Sequence, residues 1–256
     1  MYKRLLSSPE VLLEEFGVEK LTERVIISPI EWVEALPDNW IERLKNEGYK
    51  IEEILKGDRI MRRIDKNYKI NNTLFLITGR GLTESLDRFY ILCNNPDVKE
   101  IIFLGIAASF HEDLTVGDIN IPEYVLPWEF ISTEYVDNNE ALPIADKELL
   151  DRVTNIANEV TSKDIKIRNY NHVTVGLFYS ETDELIEYFR KFNLATIDME
   201  LSALYRLAYY YKKKTVGILR ISEDLLKKQK VWETRKHERK DLGREIIYNI
   251  VKKLII

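Results

Sequence analysis

Two short stretches set acids where a strand gives way to a helix or loop. In "IDMELSALY" (197–205), Asp198 and Glu200 flank Met199 where an apolar run meets a helix built from small residues. In "LRISEDL" (219–225), Glu223 and Asp224 follow Ser222 at the end of another apolar run. Two readings fit the first pair. An acid near a helix start satisfies free N–H groups and the positive end of the helix dipole. Alternatively, Glu200 faces a polar ligand at the carboxyl end of a strand, where open α/β sheets place their sites. The second pair divides the same way, between surface capping acids and a proton donor held in a cleft. Two more polar stations sit at strand ends. "ITGRGLTES" (77–85) sets Arg80 between glycines, and "FLGIAASFHEDLTVGDINIP" (103–122) carries Gly105.

Other chemistries are poorly served. There is no P-loop, and the GRG of 79–81 continues into LTES without the third glycine of a dinucleotide fingerprint. Ser109 lacks the G-x-S-x-G elbow of a hydrolase. His111, His172 and His237 have no metal-ligand spacing, and Cys93 is the one cysteine, which excludes an internal disulfide and a cysteine-rich zinc site. No metal and no cofactor are expected.

Taken in chain order, the stations resemble the nucleoside phosphorylase and nucleosidase superfamily, which includes purine and uridine phosphorylases and methylthioadenosine nucleosidases. The resemblance runs from about residue 24 to the C-terminus. It rests on "GIAASFHEDLTVGDINIP", "VGLFYSETD" (175–183), "IDMELSALYRLA" (197–208) and "LRISEDL", four weak motifs in the correct order. It implies cleavage of a nucleoside N-glycosidic bond, by phosphorolysis first and by hydrolysis as the runner-up. A non-catalytic nucleoside-binding relative is the third reading. Glu200 would accept hydrogen bonds from ribose hydroxyls and offset positive charge developing on the sugar. Met199 would pack on the ribose, and Tyr179 would stack on the base, although a strand-end tyrosine is as often mere packing. Ser222 belongs to the same binding motif. The acid after it would protonate or hydrogen-bond the leaving base. That acid is Glu223 by register or Asp224 by residue type, with Asp224 slightly favoured.

The phosphate site departs from the pattern. The family's N-terminal glycine–arginine loop corresponds to "VIISPIEWVEAL" (25–36), which has neither residue. The family's arginine before the glycine turn is Phe103 here, and its hydroxyl inside that turn is Ile106. Arg80 and the turn at Gly105 remain as a weak phosphate site, of millimolar dissociation constant or weaker. Glu31 and Glu34 lie where nucleosidases keep a water-activating glutamate. The resemblance also implies a homo-oligomer.

The elements that must hold these residues alternate. Strands are expected at 24–28, 72–78, 100–106, 117–125, 172–179, 194–199 and 214–222, several of them apolar throughout, as strands covered on both faces should be. Helices are expected at 37–47, 83–93, 146–161, 181–192, 201–213 and about 238–255, with Asp146 and Thr182 as N-caps. Alternation of this kind predicts a three-layer α/β/α sandwich around a central mixed, mostly parallel sheet, one domain over 1–256. Composition agrees: 45% hydrophobic and 32% charged residues describe a globular chain. The net charge of −5, with no basic stripe, argues against nucleic acid. The most apolar segment, 101–110, is too short to span a bilayer, and the N-terminus lacks a signal peptide's apolar core. A cytoplasmic protein is expected, and 10 Gly and 7 Pro beside many Lys, Glu and Ile suggest a thermophile.

Overall fold

The structure, a computed structural model, describes residues 8–57, 64–136, 140–177, 182–229 and 238–255. Its centre is made by strands with no polar face to give to water. These are β1 (Arg24–Ser28), β4 (Thr73–Ile77), β5 (Glu100–Ser109) and β11 (Lys214–Asp224). Val25, Ile26, Phe75, Leu76, Ile101, Ile102, Val216 and Ile218 are all fully buried within them. β1 pairs in parallel with both β4 and β5, and β5 pairs in parallel with β11. Beyond β4 the sheet continues into an antiparallel hairpin, β2 (Ile51–Gly57) and β3 (Ile64–Ile70). On the other side, β10 (Thr196–Asp198), β9 (His172–Val175) and β7 (Val125–Trp128) complete the order β2-β3-β4-β1-β5-β10-β9-β7. Two short strands, β6 (Ile119–Asn120) and β8 (Ile167–Arg168), hang on β11.

Helices cover the sheet. α4 (Leu82–Asn94) packs against α7 (Leu201–Tyr210), and α5 (Lys147–Val160) packs against α8 (Glu238–Leu254). Asp146 and Thr182 cap α5 and α6 (Asp183–Arg190), accepting from Leu149 N and Leu185 N. Residues 201–208 of α7 are all buried, the expected apolar face of Leu201, Leu204, Leu207 and Ala208 among them. The fold is therefore α/β with a mixed, mostly parallel sheet. Among the described residues, no helix is long and apolar enough to cross a membrane.

Some elements differ from expectation. α1 (Pro9–Phe16) carries ordinary helix signals, a Ser8 cap, Pro9 in the first turn and Gly17 in the left-handed conformation at its end. The expected strand at 117–125 is split, because Pro122 has no N–H for a ladder and Gly117 turns with φ 91°. The expected 37–47 helix starts only at Trp40, after Pro37, as α3 (Trp40–Asn46), and a short helix that was not expected, α2 (Trp32–Ala35), precedes it.

One topological detail opens the site. On the side away from β11, β5 pairs with β1 only as far as Ile27 opposite Phe103. It next pairs with β10, now antiparallel, at Ala108 and Ser109. Among the described residues, β5 has no strand partner on that side between these two, and β1 has already ended at Ser28. A sheet that changes partners this way leaves a crevice at its carboxyl edge.

Candidate active site

The first turn of α7 needs partners for its free N–H groups, and Asp198 supplies one. Its Oδ2 accepts from Leu201 N at 3.0 Å, while Thr174 Oγ1 accepts from Ser202 N at 3.0 Å. Asp198 Oδ1 also accepts from Thr174 Oγ1 at 2.6 Å and lies 2.9 Å from His172 Nε2. The capping role is thus taken by Asp198. Glu200 makes no side-chain cap, although it stands at the helix boundary. Its carboxylate reaches across instead to Gly81 N at 2.5 Å, with Met199 N at 3.3 Å. Burial, and then the charge of Asp198, push Glu200 up to about 8, while Arg80 acts in the opposite direction.

The loop meeting Glu200 is shaped by two glycines. Gly79 and Gly81 have φ of 89° and 72°, the left-handed region that side chains disfavour. A Cβ on Gly79 would lie 2.2 Å from Glu84 Cδ. Glu84 folds under the loop there and accepts from Arg80 N at 2.8 Å.

At the end of β11 the alternation of faces fails. Ile221 pairs with Ala107 and Glu223 with Ala108, so Ser222 is an extra residue in a β-bulge. Strict alternation would put Ser222 and Glu223 on opposite faces. The bulge lets both line one cleft of about 200 Å³, together with Pro29, Ile30, Arg80, Ile106, Ala107, Ala108, Ile197, Asp198, Met199 and Glu200. Ser222 Oγ donates to Ala107 O at 3.2 Å, which ties the bulge to β5.

Five of the expected residues therefore meet in this cleft: Met199, Glu200, Ser222, Glu223 and Arg80. Asp224, the slightly favoured acid, does not line it. Its carboxylate accepts from Lys227 Nζ at 2.8 Å, Lys227 N at 3.1 Å and Thr115 Oγ1 at 3.4 Å. Gly105 is also absent from the lining among the described residues, and its bare Cα serves packing instead. A Cβ there would meet the Phe103 ring at 2.4 Å and Leu219 Cδ2 at 3.0 Å. Phe103 itself is in the core, edge-on to Phe89, and Ile106 is the residue that reaches the cleft. Glu31 and Glu34 stay outside the lining. Tyr179 lies outside the described residues.

Sequence reasoning missed the supports Thr174 and His172, and the walls Pro29 and Ile30. His172 has no metal-ligand spacing in the sequence, and no spacing signals its pairing with Asp198. Pro29 and Ile30 sit inside the stretch "VIISPIEW", where position after a strand end is the only signal.

A family model described as "Phosphorylase superfamily" matches residues 82–256, more than half of the chain. A DeoD-type purine nucleoside phosphorylase of Buchnera aphidicola subsp. Baizongia pistaciae (strain Bp) is 28% identical over 164 residues, covering 64% of this chain and 68% of that protein. The DeoD-type purine nucleoside phosphorylase of Brevibacillus brevis (strain 47 / JCM 6285 / NBRC 100599) is 29% identical over 170 residues, covering 66% and 70%. Among solved structures, the fold is similar to purine nucleoside phosphorylase from Toxoplasma gondii in complex with immucillin-H. The TM-score is 0.71 at 19% identity, over 93% of this chain and 91% of that one. It is also similar to uridine phosphorylase from Schistosoma mansoni in complex with thymidine, with TM-score 0.69 at 13% identity, over 91% and 86%.

Proposed function

The chain belongs to the phosphorylase superfamily, and from that premise we propose that it cleaves the N-glycosidic bond of a nucleoside by phosphorolysis. One observation carries the assignment of the site. Asp198 does the capping, so Glu200 is left over, buried, at a cleft it shares with Met199 and Glu223. Cleavage builds positive charge on the sugar and negative charge on the departing base. Glu200 would receive the ribose hydroxyls. As it ionises, it would oppose the positive charge where little water competes. Met199 would form the apolar seat of the sugar. Glu223, aimed by the bulge at Ser222, takes the base-facing role in preference to Asp224. Tyr179 is kept as the base-stacking residue of the same proposal.

Phosphate is the poorly provided partner. Arg80, on the exposed rim, is the one cationic side chain among the described lining residues, and Ile106 replaces a hydroxyl donor. That observation favours hydrolysis as the second reading. A cytoplasmic, single-domain protein that assembles with copies of itself completes the proposal.

The test is release of free base from a panel of purine and pyrimidine nucleosides, with and without phosphate. Phosphate-dependent release supports the reading. Release that ignores phosphate indicates a nucleosidase, and nucleoside binding without release indicates a non-catalytic relative.

A further inference from the structure

The start of α4 departs from the usual helix entry, and the departure supplies Glu200 with its donor. Gly81 is the N-cap of α4 and offers the helix no side chain. Its carbonyl accepts from Glu84 N at 3.3 Å, Ser85 N at 3.1 Å and Ser85 Oγ at 2.8 Å, so the helix side of the residue is fixed. Glu84 stands third in the helix, the position from which an acid ordinarily reaches back to the N-cap N–H and closes a capping box. Here it reaches one residue further. Glu84 Oε2 accepts from Arg80 N at 2.8 Å, and Gly81 N is left to donate to Glu200 Oε1 at 2.5 Å.

That arrangement has to be held, because the loop could make the other one. Gly81, at φ 72°, tolerates either sign of φ. The peptide between Arg80 and Gly81 can therefore turn over and carry its N–H away from Glu200. The peptide before it is held by Glu84, and the one after it by the first turn of α4. Glu84 is itself aimed from behind. Arg88 Nη1 lies 4.0 Å from Glu84 Oε1, and Arg88 Nε lies 3.3 Å from Glu15 Oε2 on α1. Arg88 is buried, so water and salt screen these contacts weakly. The bare Cα of Gly79 makes room for the Glu84 stem.

We infer that Glu84 is a positioning residue of the cleft: by taking the Arg80 N–H it keeps the Gly81 N–H on Glu200, and so sets how readily Glu200 accepts the hydroxyls of a sugar. The inference rests on the proposed role of Glu200 as the sugar-binding acid. A backbone N–H aimed at a carboxylate favours its ionised form, and the Gly81 bond acts on Glu200 in that direction. The other groups around Glu200 come from several elements. Asp198 from β10 opposes its ionisation, Arg80 from the loop favours it, and Glu223 from β11 shares the cleft. Beyond the ends of β1 and along β5 the described lining is apolar, with Pro29, Ile30, Ile106, Ala107 and Ala108. Without the Gly81 N–H, Glu200 keeps the longer contact to Met199 N at 3.3 Å.

The experiment measures where Glu200 titrates in the absence of nucleoside, from unfolding free energies between about pH 5 and about pH 10. Each protein is paired with its Glu200→Gln counterpart, so that the difference isolates Glu200. In Glu84→Ala the Glu200 titration moves up by about one pH unit or more. In Glu84→Gln, which keeps an acceptor for Arg80 N, it stays where the parent has it. Nucleoside affinity at about pH 7 becomes about tenfold weaker in Glu84→Ala, because the ionised fraction of Glu200 falls by that factor. Glu84→Gln binds close to the parent. A Glu84→Ala protein that is destabilised while Glu200 titrates as in the parent overturns the inference, since Glu84 is then only a helix-start acid. An equal shift in Glu84→Gln also overturns it, by tracing the effect to lost charge. If Glu84→Ala does not fold, Glu84→Asp decides, because it keeps an acid in the first turn of α4 and draws the carboxylate back from Arg80 N. An upward shift there supports the inference, and none overturns it. A shifted titration with unchanged nucleoside affinity removes Glu200 from sugar binding and leaves the Gly81 contact standing. A parent that binds no nucleoside removes the proposed function, and the titration still judges Glu84.

Discussion

Glu200 sits beside Asp198 with two backbone N–H groups as its hydrogen-bond donors. Held up at about 8 by burial and then by Asp198, it keeps a proton in the folded chain that an unfolded glutamate releases near pH 4.3. Between those values the unfolded state binds fewer protons, so this group lowers stability as pH rises from about 5 to 8. Glu200→Gln removes that slope. Denaturant unfolding should show variant and parent close together at about pH 5, with the variant gaining ground towards pH 8; a constant difference across that range contradicts the account. Above about pH 8, where Glu200 is ionised, the same variant should bind nucleosides more weakly by about 1.5–3 kcal/mol, because the charged acceptor is gone while the shape remains. Unchanged binding by calorimetry would return Glu200 to an incidental helix-boundary acid. Glu223 and Asp224 separate by a different measurement. Glu223→Gln should slow nucleosides with poor leaving groups far more than activated ones, since only the former need the proton. Asp224→Asn should instead lose stability by about 1–3 kcal/mol through its contacts to Lys227 and Thr115, with no leaving-group dependence. The reversed pattern would restore Asp224 as the acid.

At the scale of elements, the start of α7 and the end of β11 are what aim these side chains. Asp198→Ala removes an N-cap worth about 0.5–2 kcal/mol and also strips an acceptor from Thr174 and the carboxylate beside His172. It should therefore destabilise the protein more than Glu200→Gln at every pH, as chemical denaturation can check. A smaller loss than Glu200→Gln would mean that Asp198 is not the cap. These two elements also mark the limits of what the chain reveals by itself. β1 is found where the apolar run Arg24–Ser28 predicts it, since a strand buried on both faces has no alternative pattern. The hairpin of β2 and β3 is missed because "IEEILKG" and "IDKNYKI" mix charges into the run. The bulge at Ser222 has no compositional signal at all. It decides which of two adjacent acids enters the cleft, and only the pairing of β11 with β5 reveals it. Likewise the two acids of "IDMEL" are visible in sequence, but the division of labour between them depends on Thr174 and Gly81, distant in the chain.

For the whole molecule, the cleft exists because β5 exchanges β1 for β10 partway along its length, which no single element encodes. Phosphorolysis there produces a pentose 1-phosphate together with free base, whereas hydrolysis produces free pentose. The central claim is tested most directly by phosphorus NMR of the purified protein with a cleavable nucleoside and inorganic phosphate. The account predicts a new sugar-phosphate resonance growing in step with released base, and suppressed in Glu200→Gln. Base released with no sugar phosphate, or a resonance that Glu200→Gln leaves undiminished, would contradict it.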